Sequence, residues 1–338
     1  MKNNFTPFYW PALLGGLLIL AACGGGDSFT PPNISTTPVA LSSSNQNDAI
    51  ETSAMAAGGT TDSSSLVTGV VIEGAGGAGF NPFDFASSKL PEYVLKAKAS
   101  AAALPTGVAF SETLPCDSGT MKISGNVADP NASEASAGDT ISFSFNNCTD
   151  NFEGTTINGA FSASVISGYI GLFCGTSCPN FQLEATFNNL RVTEMGSTGA
   201  VHGGFNLTHA GSTDTFSGSS LYLIETGGES VHLTNFDIST ATSGPLETTT
   251  VSMSVAGTQI NGLINIETDP SAPLEQTTDE DHPHAGTLII TGRNNSSLTV
   301  EALNSSSMQV TLNADDDGLP DDGYPKTVTW TEIEGSVP

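Results

Sequence analysis

Basic residues are scarce in this chain. Eight Lys and Arg stand against 35 Asp and Glu in 338 residues, a formal charge of −27. Nucleic-acid binding depends on Lys and Arg neutralising phosphates, so the composition argues against it. It argues equally against docking on anionic lipid heads by charge. It favours solubility and cation binding. Aromatic residues make up only 7% of the chain, which weakens a carbohydrate-binding reading that needs exposed ring platforms. There is no G-x-S-x-G elbow, no H-E-x-x-H pair and no phosphate-cradling glycine loop. Carboxylate pairs are numerous, but none is singled out as a general acid or base. No run is apolar over the ~20 residues that a membrane-spanning helix needs.

What is present starts with the apolar stretch Ala12 to Leu20, which ends in Leu20-Ala21-Ala22-Cys23 and is followed by Gly24-Gly25-Gly26-Asp27. With Lys2 ahead of it, the segment 1–22 has the parts of a secretory signal peptide. The Leu-Ala-Ala-Cys run resembles the lipobox of Gram-negative bacterial outer-membrane lipoproteins. That resemblance implies cleavage before Cys23 and lipid on its thiol and new amino end. In that family an Asp after the cysteine favours retention in the inner membrane. Gly24 stands there, which implies the outer membrane and leaves the leaflet open. Each buried lipid methylene contributes about 0.8 kcal/mol, so several chains on one cysteine give stable attachment. Cleavage would remove Lys2 and no acid, leaving seven basic residues against 35 acidic.

With Cys23 lipidated, Cys116, Cys148, Cys174 and Cys178 remain. An even number in an oxidising compartment reads as two disulfides. Three pairings are open. The favoured one joins Cys116 to Cys148 across neighbouring strands and Cys174 to Cys178 around a three-residue loop. The spacing lacks the C-x-x-C pairs of a zinc knuckle.

The chain divides by composition. After the signal, 23–65 is rich in Ser, Thr, Gly, Asn and Pro and reads as a flexible tether, because it has too few large apolar groups to offset the entropy of ordering. The segment 66–115 begins Gly-rich and then carries one apolar stripe, Leu90, Tyr93, Val94, Ala97, Ala101 and Leu104, which predicts a helix covering the domain that follows. From 116 to 338 the period becomes two. Ile141, Phe143 and Phe145 alternate with Ser and Asn. The same pattern recurs at Phe161–Val165, Phe181–Phe187, Val251–Val255, Ile260–Ile266 and Met308–Leu312. This is the pattern of strands with one wet face. The expectation is an all-β fold, an antiparallel meander of about a dozen strands, barrel-like or in two layers so that long edges are not left open. Phe145-Asn146-Asn147 before Asn158-Gly159, and Phe187-Asn188-Asn189 before Gly203-Gly204, hint at repetition without a fixed period.

Two segments could carry chemistry. Asn313, Asp315, Asp317 and Asp321, with Gly318 for the turn, place oxygens as a calcium loop would. The segment resembles the calcium loops of EF-hand and thrombospondin-type repeats, which implies Ca2+ at those four residues, although Tyr324 replaces the closing bidentate Glu. His282 and His284, beside Glu280 and Asp281, are compatible with zinc or copper and equally with a polar loop. His202, His209 and His232 read as polar-phase, solvated residues. The whole resembles β-rich envelope lipoproteins. The functional expectation is a non-enzymatic protein, anchored to the membrane by lipid, that binds an envelope protein or surface polymer or supports surface structure. A carrier of an apolar ligand inside a barrel-like cavity is the alternative, and a secreted-type hydrolase a weaker one.

Overall fold

The period of two builds one sheet. The computed structural model describes residues 29–57, 109–128, 135–150, 155–170, 180–194, 197–225, 230–278, 280 and 282–334. The strands are β1 (Ala109–Pro115), β2 (Ser118–Asn126), β3 (Ala135–Ser136), β4 (Thr140–Asp150), β5 (Thr155–Ile170), β6 (Phe181–Glu194), β7 (Ser197–Ala210) and β8 (Thr213–Glu225). They continue as β9 (Ser230–Ser243), β10 (Leu246–Gly257), β11 (Gly262–Thr268), β12 (Leu274–Thr277), β13 (Thr287–Thr291), β14 (Ser297–Asn304), β15 (Ser307–Asn313) and β16 (Lys326–Thr329). Nearly every strand lies beside its neighbours in sequence. Only β3, beside β5, and β12, beside β10, sit off the path from β1 to β16. All strand pairings are antiparallel.

The all-β antiparallel meander is therefore what the alternation predicted, with sixteen strands among the described residues in place of about a dozen. It begins at Ala109, inside the stretch assigned to the covering helix. The residues of that helix lie outside those described. The path has two ends, β1 and β16, and among the described residues no pairing joins them.

One face of the sheet is apolar from end to end. Its core is continuous from Phe110 in β1 to Leu312 in β15. Six phenylalanine rings touch in line across it. Ring centroids are 5.9 Å apart from Phe143 to Phe161, 5.2 Å to Phe187, 5.8 Å to Phe205, 4.6 Å to Phe216 and 5.0 Å to Phe236. Each such pair adds about 0.5–1.5 kcal/mol beyond the area it buries.

The two Asn-Asn pairs lie in a seam of β-bulges that a lone Asn235 continues. Asn147, Asn189 and Asn235 have positive φ, at 45°, 50° and 48°. The pairing register shifts beside each of them. An inserted residue flips every later side chain to the other face. Burial follows the flip. Leu183, Ala185 and Phe187 face inward before the β6 bulge, Leu190 and Val192 after it. Gly159 explains the second half of the repeat: a Cβ there would lie 2.1 Å from the Asn189 carbonyl oxygen. Asn tolerates the left-handed region and Gly permits the close approach.

The expected tether is corrected over residues 29–57, which are bound to the sheet. Val39 N–H donates to Leu263 O at 3.1 Å, and Leu263 N–H donates to Thr37 O at 3.0 Å. Leu41 N–H donates to Ser296 Oγ in the β13–β14 turn, at 2.9 Å. Helix α1 (Gln46–Ala57) follows. Asn45 precedes it, with Oδ1 accepting from Ser42 N–H at 2.8 Å, and Asp48 in the first turn complements the helix dipole. Leu41, Ala49 and Ile50 are 1%, 0% and 3% exposed and belong to the core. Three well-placed apolar residues fix a segment whose average composition reads as tether. A short helix α2 (Trp330–Glu334) packs near α1 and buries Ile333.

Candidate functional site

The inner face changes chemistry at the end of the sheet where β7 turns into β8 and β9 into β10. Phe181, His209, Asp214, Thr240 and Thr249 lie opposite one another on successive strands β6 to β10. His209 Nδ1 is 2.7 Å from Asp214 Oδ1. The imidazole stacks on Phe181 at 5.4 Å. Its Nε2 is buried and makes no hydrogen bond among the described residues. The Thr240 and Thr249 hydroxyls are 3.0 Å apart. Glu247, two residues before Thr249 on the same phase, is 4% exposed. Burial, and after it the charge of Asp214, push the Glu247 carboxyl above its ordinary range.

Opposite Glu247 is Gln276, whose Nε2 donates to Glu280 O at 2.6 Å. Glu280 Oε2 accepts from Thr277 N–H at 2.9 Å and pairs with His284 Nδ1 at 2.6 Å. The Thr277 bond first, then His284, bring the Glu280 carboxyl down to about 2. A carboxylate on Nδ1 fixes an imidazole's orientation. Among the described residues no hydroxyl or thiol is hydrogen-bonded to His209 Nε2, where a triad's nucleophile would sit.

The outer face carries a different row. His202 (β7), Tyr222 (β8) and His232 (β9) are cross-strand neighbours. Tyr222 and His232 stack at 3.8 Å with planes 4° apart. Phe29 lies on His202 at 3.7 Å and 7°, and meets Tyr222 at 5.4 Å. Asn189 N–H donates to His202 Nδ1 at 3.2 Å, and Ser220 Oγ is 2.9 Å from His232 Nε2. Desolvation lowers both imidazole pKa values. The row continues to Ala256 and Leu263. Ala256 is 1% exposed on an otherwise solvated phase.

The sequence-predicted residues fall out as follows. Cys116 and Cys148 are disulfide-bonded with Cα atoms 5.4 Å apart. Cys23, Cys174 and Cys178 lie outside the described residues. The acidic loop turns its carboxylates onto its own backbone. Asn313 Oδ1 accepts from Asp316 N–H at 2.9 Å, Asp317 Oδ1 from Leu319 N–H at 2.8 Å and Asp321 Oδ1 from Ala314 N–H at 3.1 Å. Asp315 Oδ1 lies 3.4 Å from Asp317 N. Among the described residues no group of three His, Cys, Asp or Glu is placed to hold a metal ion.

His282 stacks on Trp330 at 5.0 Å, while His284 pairs with Glu280, so the two histidines have separate partners. His209 corrects the polar-phase reading, since it follows Phe205 and Leu207 on the inner phase. Counting from those two residues would have placed it. The Phe29 stack had no signal in the sequence. No protein-family model, curated protein or solved structure matches the chain.

Proposed function

We propose that the protein is a lipid-anchored, non-enzymatic component of the bacterial outer membrane that presents its sheet to an envelope partner or surface polymer. The Leu20-Ala21-Ala22-Cys23 run carries the reading. Two observations support it. The Cys116–Cys148 disulfide suits an oxidising compartment. The inner face is occupied by its own phenylalanine rings, which favours a scaffold over a carrier, whose ligand would need that space.

The test is metabolic labelling with a fatty acid, followed by membrane fractionation, for the wild type and Cys23→Ala. Label and membrane association are lost together in the variant. Label that persists in Cys23→Ala would remove the anchor, and with it the function.

A further inference from the structure

We infer that the membrane lies against one particular side of this molecule: the outer face of β7–β9 around Phe29. The inference rests on the lipidation of Cys23 proposed above.

Reach decides the matter. Cys23 is six residues before Phe29, and a fully extended chain covers at most about 3.6 Å per residue, or ~20 Å here. Strand β7 has 14 residues, and at about 3.3 Å per residue it is roughly 45 Å long. The anchor therefore reaches less than half the length of one strand. A tether free over residues 24–65 would have allowed any orientation. The observed strap allows few.

Phe29 sets the face as well as the distance. It stacks on His202, which points outward, away from the core row of Val201, Phe205 and Leu207. The strap is held a second time at Leu263, by the two hydrogen bonds with Thr37 and Val39.

The chemistry of this face suits a headgroup layer. Tyr222, His202 and His232 are amphipathic rings of the kind that sit at membrane interfaces. The next row along is Thr186, Gly204, Ser220, Thr234, Ser254 and Asn265. Neither row contains an acid, in a chain with 35 of them. Acids would be repelled by anionic heads, and those of this face, Glu184, Asp237 and Glu267, lie one row further from Phe29.

The experiment uses the full-length lipidated protein in native outer-membrane vesicles. A benzophenone amino acid replaces Tyr222, or in separate samples Ile224, Thr215 or Gln309, and lipid adducts are counted after illumination. Ile224 reads the same face without disturbing the stack. Thr215 lies on the same strand towards the far end, and Gln309 lies on β15.

Adducts several-fold more abundant at Tyr222 and Ile224 than at Thr215 and Gln309 support the orientation. Phe29→Ala leaves Thr37 as the first fixed point and levels the four yields. Equal yields in the wild type, with lipid found on the Cys23 peptide by mass spectrometry, overturn the orientation and leave the anchor standing. A Cys23 peptide without lipid overturns both.

Discussion

On the inner face, Phe143, Phe161, Phe187, Phe205, Phe216 and Phe236 pass one ring to the next from β4 to β9. On the outer face, Ser124, Ser142, Ser162, Thr186, Gly204, Ser220, Thr234, Ser254 and Asn265 lie opposite one another from β2 to β11. The inner row must fill space, so each ring depends on its neighbours. The outer row needs only small side chains that suit a pleated strand and water. Against that uniform background the Phe29–His202–Tyr222–His232 stack is the exception, and it is where the N-terminal strap is fastened.

The largest expected effect lies in the ring ladder. Phe187→Ala removes a side chain that is 1% exposed between two others and costs about 3–5 kcal/mol in urea unfolding. A cost below ~1 kcal/mol would mean that the inner face is not close-packed. Ile50→Ala comes next, at about 2–4 kcal/mol, if α1 is part of the core as its 3% exposure indicates. A tether would lose nothing.

Glu247→Gln acts through pH. Its folded-state pKa is raised, so the folded protein keeps a proton that the unfolded chain releases near 4.5. Stability therefore falls as pH rises through and above 4.5, up to the folded value. Gln removes that fall. Calorimetry of the variant should show a higher Tm at pH 8 and none of that gain at pH 4; equal gains at both would make the effect one of packing. The smallest effect is on the outer row. Ser254→Ala, which removes a 2.6 Å bond to Asn265 in an exposed position, stays within about 0.5 kcal/mol of wild type.

The strands were legible because large apolar and small polar residues alternate cleanly, as in Ile141 to Phe145. The bulges were not. Asn146-Asn147 and Asn188-Asn189 look like turns, and only the change of phase from Phe187 to Leu190 distinguishes a bulge from a hairpin. The strap was hidden because Leu41, Ala49 and Ile50 belong to two short apolar clusters in a polar stretch, with no sustained period, and what holds them is distant in sequence. The acidic loop shows the opposite ambiguity. Asp at alternate positions suits a cation and also suits a loop's own N–H groups, and Asp317 and Asp321 accept from Leu319 and Ala314. His209 was misplaced because Thr208 and Ala210 flank it, whereas its partners Phe181 and Asp214 come from adjacent strands.

The hydrogen bond from Leu41 to Ser296 joins residues 255 apart in sequence. Contacts of such separation form late, because the intervening chain must be ordered before they give anything back. The segment that carries Leu41 is thus among the last parts of the chain to find its place, although it precedes every strand of the sheet.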